Sequence, residues 1–198
     1  MLPSKSGTIL SRGYFNRPTL TVARSLVGKY LVRCIDGKEI AGKIIEVEAY
    51  VGSQDKACHA AKGRTQRTEV MFGPAGVAYV YLIYGMYHCL NVVTEREEFP
   101  SAVLIRAIEL NGELIDGPGR LCRSLQIDRS LNRMDLTTGE SLWFEDRGEA
   151  VGRGTVGAYP RIGVDYAGMW AKKLWRFRLR TAVVSTRTRR TKKQGGTG

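Results

Sequence analysis

The sequence predicts a mixed α/β (α+β) fold, with one domain dominated by antiparallel strands. The chain has 198 residues, of which 43% are hydrophobic, so it is long enough to bury one sizeable core. Most of its apolar segments are short and alternate with polar residues, as half-buried strands do, and few segments have a helical period. The strong turn signal Asp36-Gly37 joins two such segments, which makes them antiparallel.

The first half of the chain predicts one helix and two hairpins. The helix begins near Thr19 or Thr21, either of which can cap the apolar-periodic segment that follows. The strands "KYLVRCI" and "EIAGKIIEVEAY" make residues 29–50 a β-hairpin. Residues 51–77 are polar and rich in glycine, which indicates a loop with a short helix near "DKACHAA". The tyrosine-rich segment "YVYLIYGMYHCLN" then predicts a second hairpin that turns at Gly85.

The second half predicts several strands and one more helix. The segment "SAVLIRAIEL" is a predicted strand, and "GPGRLCRSLQI" is a predicted helix that follows a "GPG" turn. The strands "SLWFED", "RIGVDY" and the basic "AKKLWRFRLR" complete the fold. We therefore expect a single domain over residues 1–186 and a basic, disordered tail over residues 187–198.

The positive charge is concentrated near the C-terminus. The formal net charge is +12, but all 19 acidic residues and 21 of the 31 basic residues precede position 166, so residues 1–165 carry only +2. The other ten basic residues lie within residues 172–193 and have no acidic neighbour in sequence. Such a distribution is typical of a protein that binds a polyanion, and nucleic acid is the leading candidate. A solubilising tail is the alternative for the last residues.

The segment "AKKLWRFRLR" has its own pattern. Its bases alternate with Trp175, Phe177 and Leu179, which predicts a strand with one apolar face and one basic face. A packed strand presents its charges at fixed positions. The residues expected to contact the DNA backbone are Lys173, Arg176, Arg178 and Arg180.

The composition argues against a membrane, secreted or metal-dependent protein. No apolar run approaches the roughly 20 residues of a membrane span, and the N-terminus has no apolar stretch typical of a secretory signal. The four cysteines lie far apart and only two histidines accompany them, so we expect packed, reduced thiols and no metal or other cofactor. We expect a cytoplasmic protein, associated with the nucleoid if it is bacterial.

The strand "KIIEVEAY" carries the candidate chemistry. Because side chains alternate along a strand, Glu46, Glu48 and Tyr50 share one face. A solvated carboxylate face is the ordinary interpretation of such a pattern. An acidic face would repel a polyanion, however, unless one carboxylate has a chemical role.

A carboxylate beside an aromatic ring suits the hydrolysis of an N-glycosidic bond. The reaction passes through an oxocarbenium-like state that a negative charge stabilises, and the same carboxylate can accept a proton from the attacking water. The base must first leave the stacked duplex, and a flipped base is held by aromatic stacking and by hydrogen bonds to its edge. Tyrosines are suitable for the lining of such a pocket.

Several segments resemble those of the alkyladenine, or 3-methyladenine, DNA glycosylase family. They are "IIEVEAYVGSQDKACHA", "RTEVMFGPAGVAYVYLIYGMYHCLNVV", "AVLIRAIEL", "DGPGRLCRSL" and "RIGVDYAGMWAKKLWRFRLR". The similarity is collinear over residues 8–180. It implies a compact single domain with a curved antiparallel sheet, surrounding helices and a protruding hairpin, and an enzyme that excises bases without a metal. The implied partners are duplex DNA with a damaged base and a catalytic water, and we expect a monomer.

The resemblance assigns the catalytic roles to two residues. Glu48 matches the family's general base, and Arg106 matches the arginine that helps to position the water. The implied product is an intact abasic site, because no lysine falls at a matched pocket position to support strand cleavage.

The resemblance also assigns the residues that bind the base. Tyr50, His59 and Tyr81 match the residues that sandwich the flipped base, and Asn91 matches the asparagine at its minor-groove edge. Tyr84 resembles the residue that intercalates into the gap left in the duplex.

The spacing of the tyrosines agrees with these assignments. Tyr81 and Tyr84 are three residues apart, so they face opposite ways on a strand, with Tyr84 at the turn beside Gly85. For Tyr79 and Tyr87 we expect only core and cross-strand packing.

The sequence departs from the family's pattern around Thr68-Glu69, where an acidic residue disfavours a phosphate contact. A catalytically inactive nucleic-acid-binding module, whose aromatic residues stack on single strands, is the alternative function. Such a module has no use for Glu48 facing its ligand. A metal-dependent nuclease or deaminase lacks its ligands in this sequence.

Overall fold

One antiparallel sheet of ten strands organises the part of the chain that the structure describes, which is residues 7–152 and 154–180 of a computed structural model. The strands are β1 (Thr8–Ile9), β2 (Tyr30–Ile35), β3 (Lys38–Val51), β4 (Ala78–Ile83), β5 (Tyr87–Val93), β6 (Ser101–Leu110), β7 (Glu113–Asp116), β8 (Leu142–Asp146), β9 (Val156–Tyr159) and β10 (Arg176–Leu179). The order of the hydrogen-bonded strands is β1-β8-β2-β3-β6-β5-β4, with β7 beside β6 and with β10 between β3 and β9.

The 14-residue strand β3 lies at the centre of this sheet. It pairs with β6 along one edge, and with β2 and then β10 along the other. Its register with β6 is interrupted twice, between Ile44 and Glu46 and between Glu46 and Val47, so that Ile45 and Arg106 have no direct partner across the pair. Such irregularities change the direction of side chains locally, and this one lies at Glu46, two residues before Glu48.

Within the described residues, three short α-helices accompany the sheet. They are α1 (Arg12–Phe15), α2 (Thr19–Leu26) and α3 (Pro118–Ser124), and 3-10 helices occupy His59–Lys62, Glu69–Phe72, Arg129–Leu131 and Asp165–Lys172. The predicted helix at Thr19 is confirmed, although its first turn is capped from elsewhere. The carboxylate of Glu95 accepts hydrogen bonds from the Thr19 backbone N–H at 2.7 Å and from its hydroxyl at 2.9 Å. None of the helices in the described residues is long and apolar enough to span a membrane.

The two faces of the sheet are covered by different parts of the chain. Helices α2 and α3 pack on one face, where they bury the main core together with alternate residues of β3 to β6, among them Val47, Val80 and Leu90. The residues between these, such as Glu48, Tyr79 and Asn91, point to the opposite face. The helices therefore leave that second face to the loops at residues 52–76 and 160–175.

Both predicted hairpins are confirmed. The backbone has positive φ at both central residues of each turn, 49° and 73° at Asp36 and Gly37, and 53° and 69° at Tyr84 and Gly85. These values are typical of the type I′ turn, whose twist matches that of the flanking strands. The mixed α+β class is confirmed as well.

Two predicted strands differ from the structure. The segment "RIGVDY" is a loop that enters the 3-10 helix Asp165–Lys172, because Gly163 has φ of 73°, outside the β region. The basic strand begins only at Arg176, so Lys173 lies before it. The predicted tail, residues 187–198, lies outside the described residues, so the division of the chain at residue 186 stays a prediction.

Candidate active site

A cavity of about 640 Å³ opens beside the face of the sheet that carries Tyr79 and Asn91. Its walls come from Tyr50 near the end of β3, from the hairpin β4–β5, from β6, from α3, and from the loops at residues 52–76 and 160–175. The aromatic residues that line it are Tyr50, His59, Tyr79, Tyr81, Tyr84, Tyr87 and Tyr166. The volume is in the range of ordinary small-molecule sites.

One wall of the cavity is a contact network of three aromatic side chains. The rings of His59 and Tyr81 meet edge to face with centroids 4.7 Å apart, and Tyr79 and Tyr81 lie 5.2 Å apart. The Tyr79 hydroxyl lies 2.9 Å from His59 Nδ1 and orients the imidazole. The sequence predicted only packing for Tyr79, which is indeed buried, but its hydroxyl belongs to the site.

The rings of this wall are uncharged at physiological pH. Burial, together with the nearby Arg67 and Lys62, lowers the pKa of His59 to about 4, so its imidazole is neutral. Burial likewise raises the pKa values of Tyr79 and Tyr81 above their ordinary range. The wall therefore brings no formal charge of its own to the cavity.

Glu48 lies directly behind the cavity and is fully buried. Its Oε2 accepts a hydrogen bond from the Tyr50 hydroxyl at 2.8 Å, and its Oε1 accepts one from the Ile162 backbone N–H at 2.8 Å. Arg106 Nε lies 3.5 Å from Oε1. The three residues that contact this carboxylate therefore all line the cavity.

Burial raises the pKa of Glu48, and the three groups that contact it only partly offset the rise. Arg106 makes the largest of the opposing contributions, followed by the N–H of Ile162 and the hydroxyl of Tyr50. A carboxylate in this setting is a stronger base than an exposed one. The ordinary interpretation of "KIIEVEAY", a solvated acidic face, is wrong, since Glu46 and Glu48 are both fully buried.

Asn91 lies deep in the cavity, whereas Tyr84 lies at its outer edge. Asn91 is buried, and its Nδ2 donates to the Tyr79 carbonyl of the neighbouring strand at 3.0 Å. Tyr84 is at the tip of the hairpin with 84% of its surface exposed. Its neighbour Met86, at 65%, is a second exposed apolar side chain that sequence reasoning did not single out.

The cavity extends from the hairpin towards α3. Gly119 allows this close approach, because a Cβ at that position would lie 2.8 Å from the Tyr87 ring. Tyr87 is thus more than the packing residue the sequence predicted, since 39% of it is exposed and it lines the cavity. Arg120 and Arg123 of α3 bring positive charge to this end, and no spacing in the sequence indicated their place.

A buried ion pair joins the loops around the cavity. The Arg161 guanidinium donates to both oxygens of Asp55, at 2.5 and 2.8 Å, and both side chains are completely buried. The Arg161 Cζ also lies 4.8 Å from the Tyr50 ring centroid. Sequence reasoning missed this pair, whose members are 106 residues apart.

The basic residues predicted to contact DNA have varied surroundings. Lys173 Nζ lies over aromatic rings, Arg176 donates to a backbone carbonyl, and Arg178 forms an ion pair with Glu46. Arg180 is exposed. A role of these four residues at the DNA backbone stays a prediction.

The segment that departs from the family's pattern is well ordered by its own contacts. Thr68 is buried, and the exposed Glu69 forms an ion pair with Arg133 at 2.9 Å. The neighbouring Arg67 places its Cζ 4.9 Å from the Tyr81 ring centroid. The acidic charge of Glu69 is thus paired on the surface, outside the cavity lining.

No cluster of three or more potential metal ligands occurs within residues 7–152 and 154–180. Cys58, Cys89 and Cys122 are buried free thiols, and Cys34 is half-buried. The groups that surround the cavity can act by stacking, hydrogen bonding and proton transfer.

Comparison with known proteins gives a consistent result. A family model for methylpurine-DNA glycosylases matches residues 13–182. A relative from Methanocella arvoryzae is 51% identical over 185 residues, which covers 85% of this chain and 91% of the relative. A relative from Myxococcus xanthus is 51% identical over 176 residues, with 86% and 90% covered, and one from Sodalis glossinidius is 49% identical over 176 residues, with 87% and 98% covered. All three are provisionally named 3-methyladenine DNA glycosylases. Because these matches span most of this chain and of each relative, the chain belongs to the methylpurine-DNA glycosylase family.

Proposed function

We propose that this DNA-repair hydrolase extrudes an alkylated or deaminated purine from duplex DNA into the aromatic cavity and hydrolyses its N-glycosidic bond, with Glu48 as the general base. The observation that carries the proposal is the position of Glu48. Its carboxylate is buried, its pKa is raised, and each group that contacts it lines the cavity.

The carboxylate has the capacity to bind the attacking water. An ionised carboxylate has about four acceptor positions, and Tyr50 and Ile162 use one on each oxygen. A water molecule that enters from the cavity donates a hydrogen bond to Glu48 and is oriented by Arg106. As the glycosidic bond breaks, the negative charge of Glu48 stabilises the oxocarbenium-like sugar, and the carboxylate takes the proton as the water attacks.

The aromatic wall receives the base. Tyr50 and the His59–Tyr81 pair stack on the faces of the flipped purine, and Asn91 borders its edge. The purines of N3-methyladenine and N7-methylguanine nucleotides are cationic, so a neutral His59 favours their binding, whereas an imidazolium would repel them. Tyr84 fills the gap that the extruded nucleotide leaves in the duplex.

Glu48→Gln tests the proposal, because it keeps the shape of the side chain and removes the proton acceptor. We expect single-turnover excision of N7-methylguanine to fall by about 10²- to 10⁴-fold, with binding of the lesion duplex retained or improved. The matched control is Glu145→Gln on β8, a buried carboxylate outside the cavity lining, which should keep its activity.

The same assay tests the nature of the product. Hydrolysis leaves an intact abasic strand, so breaks should appear only after alkali treatment. A Glu48→Gln enzyme that excises at nearly the wild-type rate would contradict the assignment of the base. A wild-type protein that binds but releases no base would favour the inactive binding module.

A further inference from the structure

Glu46 is a second buried carboxylate in this site, and the mechanism above does not use it. Its side chain is 1% exposed and lies on the same face of β3 as Glu48, but it is not part of the cavity lining. Three guanidinium groups contact it. Its Oε1 lies 3.0 Å from Arg106 Nε and 3.4 Å from a terminal nitrogen of Arg176, and its Oε2 lies 2.5 Å from a terminal nitrogen of Arg178.

Arg106 lies near both carboxylates, but it is closer to Glu46 than to Glu48. Its Nε lies 3.0 Å from Glu46 Oε1 and 3.5 Å from Glu48 Oε1. An Nε carries one hydrogen, and 3.5 Å exceeds the normal length of an N–H···O hydrogen bond, so this hydrogen is donated to Glu46. The backbone of Arg106 is fixed as well, since its carbonyl accepts a hydrogen bond from the Gly117 N–H at 2.9 Å.

We propose that Glu46 is a positioning residue, which holds Arg106 by its Nε and thereby prevents this guanidinium from closing a tight ion pair with Glu48. The proposal rests on the function of Glu48 as the general base. A carboxylate in a tight pair with arginine is a weak base, because the pair favours its ionised form. Glu46 therefore lets Arg106 remain beside the attacking water while Glu48 keeps the basicity that its burial provides.

The electrostatic surroundings of Glu48 agree with this role. Arg106 offsets only part of the rise in the pKa of Glu48, and the negative charge of Glu46 adds to the rise. Arg176 and Arg178 form ion pairs with Glu46, so that its carboxylate has cationic partners in the interior.

The groups that face Glu48 come from five parts of the fold. They are Glu46 and Tyr50 on β3, Arg106 on β6, Arg176 across the strand on β10, Arg161 on the loop that carries Ile162, and Cys89 on β5. Of these, only Glu46 both adds a negative charge and accepts the hydrogen of Arg106 Nε. Its removal should therefore change the titration of Glu48 in a known direction.

Glu46→Gln tests the inference through the pH dependence of the single-turnover rate at saturating DNA. An N7-methylguanine duplex is the substrate, since its cationic leaving group needs no proton and the acid limb then reports the base. The substitution removes a negative charge and weakens the hold on Arg106, because an amide oxygen accepts a weaker hydrogen bond than a carboxylate does, so Arg106 can move closer to Glu48. We expect the acid limb to move to lower pH by about one unit, and the plateau rate to fall because the base is weaker.

Arg178→Gln should shift the acid limb in the opposite direction. This variant also tests the inference if the Glu46 variant does not fold. It removes one of the three cations from Glu46 and leaves more of that negative charge acting on Glu48. The acid limb should then move to higher pH. Saturating DNA removes any contribution of Arg178 to DNA binding, and Glu145→Gln controls for the loss of a buried carboxylate elsewhere.

The outcomes separate this inference from the proposed function. If both variants lose rate with an unmoved acid limb, or shift it in the same direction, Glu46 is a structural residue and the inference is wrong. If the inference about Glu46 fails but Glu48→Gln is inactive, the proposal that Glu48 is the general base still stands. If Glu48→Gln remains active, the proposed function itself fails.

Discussion

The buried pair of Asp55 and Arg161 should be a position where removing one partner alone destabilises the fold strongly. Both side chains are completely buried and joined by two hydrogen bonds. The Asp55 carboxylate also accepts from the backbone N–H groups of Val51 and Ala57. The pair thus connects the loop that follows β3 to the loop that carries Ile162.

Asp55→Asn keeps the size of the side chain and leaves the Arg161 guanidinium without its counter-charge. Breaking a buried pair in this way costs about 3–5 kcal/mol, because the remaining charge cannot reach water. For a chain of this size, 1 kcal/mol corresponds to about 2–4 °C in Tm, so we expect Tm to fall by about 6–20 °C. The surface pair of Glu69 and Arg133 is the matched control, and Glu69→Gln should cost about 1 kcal/mol or less.

Thermal unfolding followed by circular dichroism and by calorimetry measures this effect and also shows whether unfolding is two-state. The double variant Asp55→Asn/Arg161→Met removes the stranded charge. It should lose less stability than the sum of the single variants, by about 0.5–3 kcal/mol. An Asp55→Asn protein that melts within about 2 °C of the wild type would refute the reasoning, as would strictly additive losses.

Two further predictions concern the wedge and the base. Tyr84→Ala should weaken excision from duplex DNA but have little effect on a lesion in single-stranded DNA, because only the duplex has a gap to fill; equal losses on both substrates would show that Tyr84 is structural. Glu48→Gln should stabilise the fold at pH 7. The pKa of Glu48 is higher in the folded state than in the unfolded state, where it is about 4.3, so the free energy of unfolding of the wild type falls as the pH rises above that value. Urea unfolding should therefore show this gain at pH 7 and lose it near pH 4, and a gain equal at both pH values would contradict the raised pKa.

The alternation of side chains along β3 was sufficient to place Glu46, Glu48 and Tyr50 together, because a strand has a fixed period of two. The exposure of that face was not predictable from the strand alone. It depends on β3 having paired neighbours on both edges, and on Tyr50 and Ile162 covering the carboxylate. Local sequence gives the face of a strand, whereas burial is decided by distant segments.

The contacts that sequence reasoning missed are long-range for the same reason. Asp55 and Arg161 have no shared period or motif, and the segment around Arg161 was predicted to be a strand. The link between Tyr79 and His59 joins two residues 20 positions apart across a loop. In each case the side chain alone suggests a surface or core position. The contact itself forms only when the tertiary fold brings the two distant residues together.

The distribution of charge around the cavity restricts how the site can discriminate between bases. Burial raises the pKa values of Tyr50, Tyr79 and Tyr81 and lowers that of His59, so the aromatic wall is neutral at physiological pH. The formal charges that act on Glu48 belong to Arg106 and Glu46 rather than to this aromatic wall. In the proposed mechanism, a cationic purine therefore gains from stacking and from the lability of its own glycosidic bond, not from an ion pair with the wall. Selection among purines then falls to the fit of their edges against the cavity, where Asn91 is held in place by its hydrogen bond to the Tyr79 carbonyl.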